Sequence, residues 1–161
     1  MTSEIRVSTF AGPGADATLD ITRHTEGEQR IGAVRELVGG FGADIVIDCS
    51  GHPSAGPEGI EMLRDGGTYI EMGQFTDAGA IETNWHRICT KDIAILASWA
   101  FTADDIWAGV QMLNRARARY PFREMQAWFP FSESGIAEAI DAARAMRCVK
   151  ATIVPDTALA A

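Results

Sequence analysis

Two consecutive segments constrain what this chain can fold into: Gly42-Ala43-Asp44-Ile45-Val46-Ile47-Asp48-Cys49-Ser50-Gly51 and Met62-Leu63-Arg64-Asp65-Gly66-Gly67-Thr68-Tyr69-Ile70-Glu71-Met72-Gly73. Each holds a short run of strand-forming residues that ends in a small residue or methionine and a glycine. Such runs, bounded by turn residues, read as strands over Ile45 to Cys49 and Thr68 to Met72. A helix near Ala55 to Leu63 joins them, so the two strands lie parallel in one sheet. The carboxyl ends of parallel strands form the edge where an open α/β sheet binds its ligands.

The rest of the chain extends this alternation. Gly14-Ala15-Asp16 leads into a strand at Ala17 to Ile21, as Gly42-Ala43-Asp44 leads into Ile45. Between them Ile31, Val34, Leu37 and Val38 recur at helical spacing over Glu26 to Val38 and stop at Gly39-Gly40, which predicts a helix packed on one sheet face. Ile93 to Ala97 is a further strand. Thr102, with Asp105 three positions on, opens a helix striped by Ile106, Val110 and Leu113. A second begins at Ser132, and Lys150 to Val154 closes as a strand. The pattern predicts an α/β fold: an incomplete doubly wound, Rossmann-like parallel sheet with helices on both faces. Ile5, Val7 and Thr9 also alternate like a strand, yet Ala11 to Ala15 is too short for a parallel crossover. The expected organisation is a rearranged segment over 1–13, a partial cofactor domain over 14–155 and a tail over 156–161.

With 161 residues, one domain with its own core is expected. The 22 Asp and Glu against 14 Lys and Arg leave a net charge of −8, which repels nucleic acid and anionic membrane surfaces. Any phosphate must be held by local charge. Three widely spaced cysteines, Cys49, Cys89 and Cys148, suit a reducing cytoplasm, and Cys49 and Cys148 read as small buried hydrophobes. No secretory leader or apolar run of about 20 residues is visible, so a cytoplasmic protein is expected.

The Gly-Ala-Asp strand ending in Ser-Gly, the Leu-Arg-x-Gly-Gly turn and strand ending in Gly, Lys91 to Ser98 and Val149-Lys150-Ala151-Thr152-Ile153-Val154-Pro155 together resemble the medium-chain, zinc-type alcohol dehydrogenase family. The resemblance covers roughly Gly14 to Pro155 and only the carboxyl part of a family member. It implies NAD or NADP as cofactor, with main-chain contacts from Ser50-Gly51, Met72-Gly73 and Ala97-Ser98. Ala97 stands where the family more often has glycine. Lys150 falls where the family often sets a basic residue against the cofactor pyrophosphate, and equally suits a cation at the carboxyl end of a helix. Intact relatives use zinc to polarise an alcohol or carbonyl oxygen while hydride passes to or from nicotinamide.

Neither the Gly-His-Glu segment nor the Gly-x-Gly-x-x-Gly turn is present, and His24, His52 and His86 show no ligand spacing, so no bound zinc and no catalytic residue are expected. His52 is expected in a solvated loop. The chain then reads as a cofactor-domain fragment needing a catalytic half from a separate chain or a longer enzyme. A noncatalytic remnant, self-associating through the edge strand near Ile93 to Phe101, is the second reading. A class I methyltransferase is a weaker third. Trp99, Phe101, Trp107, Trp128, Phe129 and Phe131 are expected in the core by default, with Trp99 to Phe101 also suited to pairing across a dimer.

Overall fold

The computed structural model describes residues 15–145 and 147–155, and the calls on Ile5 to Thr9, the 1–13 segment and the 156–161 tail lie outside them. The chain forms two compact units, one spanning Ile21–Thr102 and the other built mainly from Ala103 onward. Among the described residues no helix is long and apolar enough to cross a membrane.

The first unit runs α1 (Gly27–Leu37), β1 (Ala43–Asp48), α2 (Ala55–Met62), β2 (Leu63–Glu71), α3 (Trp85–Thr90) and β3 (Ala94–Ala97). Its three strands are parallel in the order β1-β2-β3, so β1 and β3 are both edges among the described residues. Register pairs Val46 with Tyr69 and Ile47 with Ile70. Because side chains alternate along a strand, Val46 and Tyr69 share the face that meets α2. There Tyr69 joins Ile60, Leu63, Ile88 and Ile93 in the unit's core, with Val46 packed against it. Ile45 and Ile47 point the other way and remain 57% exposed.

Leu63-Arg64-Asp65-Gly66-Gly67, expected as a turn, belongs to β2 by its ladder. Ala43 opposes Leu63 while Ile45 opposes Thr68, which leaves an irregularity of extra β2 residues. Gly66, at φ +70°, turns the backbone there and donates its N–H to the Lys91 carbonyl at 2.6 Å. The Lys91 side chain is buried and its Nζ donates to the Ile60 carbonyl at 2.7 Å, satisfying an orphan carbonyl at the end of α2.

One predicted strand is absent here, and one predicted helix forms but packs differently. Ala17 to Ile21 forms no strand: neither sheet among the described residues includes that segment, and extended backbone persists as a strand only within a ladder. Helix α1 forms with Glu26 and Val38 as its caps, but buries no residue and packs on α2 rather than on the sheet. Its hold is polar: the Arg30 guanidinium makes a two-pronged pair with Glu58, Nε to Oε2 at 2.8 Å and Nη2 to Oε1 at 2.6 Å. Arg87 grips Glu61 in the same way at 2.8 and 2.7 Å.

These hydrogen bonds from Arg30 and Arg87 hold the Glu58 and Glu61 carboxyls below the usual carboxylate range, against a smaller opposing effect of burial. A carboxylate with a lowered folded pKa stabilises the fold above its unfolded value, and that contribution is lost as pH falls through the folded value. The urea midpoint is therefore expected to fall between about pH 6 and about pH 3, with a shallower slope in Glu58→Gln/Glu61→Gln. An unchanged slope in the double variant would rule out these pairs as the source.

The second unit runs α4 (Ala103–Ala116), β4 (Gln126–Pro130), α5 (Glu133–Arg144) and β5 (Lys150–Val154). Strands β4 and β5 pair in parallel, and Phe129, Ala139 and Ala142 form a small core with Ala127, Cys148 and Ala151 against it. Ser132 caps α5 as expected, its Oγ accepting the Gly135 N–H at 3.1 Å. Ser132→Ala is expected to lower stability by about 1 kcal/mol, read from the urea midpoint. No loss would show that the cap is made another way.

The aromatic core expected in this half is mostly absent. Phe129 is buried, whereas Trp107 and Phe131 are exposed, as are Trp99 and Phe101 in the first unit. One face of the β4–β5 sheet packs on α5 and holds Phe129, whereas Trp128 lies on the other face and is exposed. The α4 stripe of Ile106, Val110 and Leu113 likewise stays largely uncovered.

Candidate functional site

The ends of β1, β2 and β3 converge through main-chain bonds. Met72 N–H donates to the Asp48 carbonyl at 3.0 Å, and Ser98 N–H to the Glu71 carbonyl at 3.1 Å. A Cβ on Gly51 would stand 2.7 Å from the Gly73 carbonyl oxygen, and one on Gly73 would stand 2.6 Å from Gly51 N. Six sequence-predicted residues, Ser50, Gly51, Met72, Gly73, Ala97 and Ser98, are thus gathered at one sheet edge. The two glycines are needed for the close approach of the strand-end backbones to each other, a packing reason that precedes any ligand.

Two carboxylates fix these turns, and the sequence reading passed over both. Asp48 is buried, and its Oδ1 accepts from Ser50 N at 2.7 Å and Ser50 Oγ at 2.8 Å. Glu71, its partner in register, accepts at Oε1 from Gly73 N at 2.7 Å and Gln74 N at 3.0 Å. The Tyr69 hydroxyl lies between them, 3.1 Å from Asp48 Oδ2 and 3.2 Å from Glu71 Oε2. Burial, and then the negative charge of Asp48, pushes that hydroxyl far above its ordinary range, so it stays a proton donor. An acidic residue closing an otherwise apolar strand, in Ile45-Val46-Ile47-Asp48 and again in Tyr69-Ile70-Glu71, was the available signal.

A cleft of about 440 Å³ opens beside these turns. Met72, Ala97 and Ser98 line it together with Gln74, Phe75 and Trp99. Phe75 and Trp99 stack with centroids 5.0 Å apart and planes at 10°. The Gln74 Nε2 group is buried without a hydrogen-bond partner, a cost of about 1–3 kcal/mol unless something supplies an acceptor.

The other candidates fall elsewhere. Lys150 begins β5 in the second unit and is exposed. Cys49 is exposed rather than buried, because β1 ends at Asp48 and the next residue has already left the sheet. Cys148 is half-buried against the Phe129 cluster. His52 is exposed, with Nδ1 3.1 Å from Ser54 Oγ, in keeping with a solvated loop. No group of three or more His, Cys, Asp or Glu among the described residues could hold a metal ion, so the donor set does not fit zinc.

The parallel strands and their helices form an incomplete Rossmann-type fold of the kind found in dehydrogenases. Residues 3–115 match the zinc-binding dehydrogenase family, and the chain belongs to it. Sorbitol dehydrogenase of Halalkalibacterium halodurans is 34% identical over 84 residues, covering 52% of this chain and 24% of that enzyme. Erythritol/L-threitol dehydrogenase of Mycolicibacterium smegmatis is 29% identical over 130 residues, or 76% of this chain and 34% of that enzyme. An alcohol dehydrogenase of Thermotoga maritima superposes with a TM-score of 0.73 at 24% identity, over 89% of this chain and 38% of its own. That likeness shows the fold, and the chain spans only 24–38% of the length of these three relatives.

Proposed function

We propose that this chain supplies the nicotinamide side of a dinucleotide site in an alcohol dehydrogenase-like oxidoreductase. The observation that carries this reading is the cleft at the ends of β2 and β3, where Met72, Ala97 and Ser98 meet the unpartnered Gln74 amide. A flat ring bearing a carboxamide would fit there, its carbonyl accepting from Gln74 and its edge lying along the strand-end backbone. Bound NAD or NADP would supply hydride acceptance or donation. The chain's own residues hold and orient: Asp48 and Glu71 fix the turns, and the Phe75–Trp99 pair walls the cleft. The Ala97 methyl narrows it.

No step is routed through zinc, and turnover of an alcohol needs a catalytic half supplied alongside this chain. Titration calorimetry with NADH and NADPH is expected to give binding near 1 mM, weakened several-fold by Gln74→Leu. Absence of saturable binding, or equal affinity in Gln74→Leu, would overturn the reading. The purified chain alone is expected to oxidise no alcohol; turnover with about one zinc per chain would sink that expectation.

A second reading, self-association in the cytoplasm, is favoured by the β3 edge. Ile95 and Leu96 on β3 and Trp99 and Phe101 beyond it are all exposed, and β3 is a sheet edge among the described residues. Light scattering on the eluted chain is expected to give a dimer that Leu96→Lys dissociates; a monomer at about 100 μM would rule it out.

A further inference from the structure

We propose that the second unit carries an anion-binding cleft for a nucleoside phosphate, built from residues other than the strand ends of the first unit. Asn114-Arg115-Ala116-Arg117-Ala118-Arg119-Tyr120-Pro121-Phe122-Arg123 concentrates four of the 14 basic residues of a chain whose net charge is −8. Three of those arginines, Arg117, Arg119 and Arg123, line a cleft of about 880 Å³ with Tyr120, Phe122 and Trp128. Among the described residues none of the three is ion-paired, although the chain has 22 acidic residues. Glu124 is the one carboxylate in the lining.

The adjoining sheet adds a fourth cation. Gln126 pairs in register with Lys150, and Trp128 with Thr152. Side chains alternate along a strand, so these four share the face opposite Ala127, Phe129 and Ala151, which pack on the α5 side. The Thr152 hydroxyl donates to Gln126 Oε1 at 3.2 Å, which ties the two strands together on that face. Lys150 therefore stands on the same face as two residues of the cleft, and it is exposed.

Three lining arginines against one carboxylate, with Lys150 on the adjoining sheet face, select a multivalent anion, and guanidinium forks match phosphate oxygens in pairs. The Arg119 guanidinium already lies 5.2 Å from the Tyr120 ring centroid, which limits its freedom before any ligand arrives. Trp128 and Phe122 then offer faces for a flat ring. A cleft within the range of about 300–1,000 Å³ holds a small organic ligand rather than a bare ion. The global charge disfavours a nucleic-acid strand, whose many phosphates would extend beyond this local patch.

The test titrates the full chain with ADP, pyrophosphate and adenosine separately, following amide shifts by NMR at about 50 and about 200 mM salt. ADP is expected to saturate near 0.1 mM, about tenfold weaker at the higher salt, with shifts over residues 117–128 and at Lys150. Pyrophosphate should bind more weakly and adenosine hardly at all. Arg119→Gln/Arg123→Gln should weaken ADP at least about tenfold, whereas Trp128→Ala should weaken ADP but leave pyrophosphate unchanged. These side chains are exposed, so the variants should keep the wild-type thermal melt, and Arg119→Lys/Arg123→Lys gives a second, charge-preserving comparison. No saturation by about 10 mM ADP, an unweakened arginine variant, or shifts confined to 50–51, 72–73 and 97–98 would each overturn the proposal. So would tighter binding of a single-stranded oligonucleotide or an acidic peptide that the same variant abolishes. Failure of NADH binding at the strand ends would leave these outcomes untouched.

Discussion

Leu63→Ala is expected to lose about 3–4 kcal/mol of stability, a large share of the about 5–15 kcal/mol that holds a small domain folded. Leu63 has 0% exposure and is the largest fully buried side chain among the described residues. It opens β2 opposite Ala43 and touches the Ile60, Tyr69, Ile88 and Ile93 cluster. The walls around it cannot fall inward: the site of a Cβ on Gly67 is already 2.9 Å from Leu63 Cδ2, and the backbone there is tied by Gly66 to Lys91. A rigid wall leaves a full cavity, which places the cost in the upper half of the range for leucine truncation. Leu63→Met, which keeps the volume, should cost less than about 1.5 kcal/mol. The measurement is the urea midpoint at constant m-value. A loss below about 1 kcal/mol in Leu63→Ala would mean that this cluster does not hold the first unit together.

The central βα units were legible because their signals are local and agree: apolar runs, Gly-Ala-Asp and Gly-Gly turns, and a helix between. The boundaries moved by a residue or two, and Leu63 to Gly67 joined the strand instead of preceding it, since a ladder with extra residues leaves no compositional trace. Ala17 to Ile21 misled because strand propensity does not supply a partner strand. Helix α3 was missed for its brevity of six residues, although Asn84, whose side chain accepts the His86 N–H at 3.1 Å, marks its start. Strand β4 was missed because Gln126-Ala127-Trp128-Phe129-Pro130 reads as an aromatic cluster ending in proline. The candidate residues at the strand ends were found through glycine and position. What orients them, Asp48 and Glu71, was hidden because a carboxylate in a motif reads as solvated until the fold buries it. The arginines at 117, 119 and 123 form no motif in the sequence, and only the cleft they line with Gln126 and Trp128 of β4 gives them a place.

Asp48→Ala should be nearly as damaging as Leu63→Ala, by a different route. The carboxylate accepts from Ser50 N, Ser50 Oγ and Tyr69 Oη while only 6% exposed. Alanine removes all three acceptors at once. Ser50 Oγ can turn to water, but the Ser50 N–H and the Tyr69 hydroxyl lose a charged partner, at about 1.5–3 kcal/mol for a hydrogen bond of that kind. The expected loss is about 3 kcal/mol. Asp48→Asn keeps an acceptor for Ser50 N and leaves Tyr69 free to donate to Glu71, so it should lose about 1 kcal/mol. Tyr69→Phe removes the one proton set between two carboxylates, and combined with Asp48→Ala it should cost less than the sum of the single changes, because the repulsion it exposes has lost one partner. The same comparison reaches the site: if these carboxylates hold the strand-end turns for a ligand, NADH affinity should fall about tenfold in Asp48→Ala and about twofold in Asp48→Asn. Asp48→Ala as stable as the parent chain would show that the buried carboxylate is not what fixes Ser50-Gly51, and the strand ends would then owe their shape to the Gly51–Gly73 backbone contact alone.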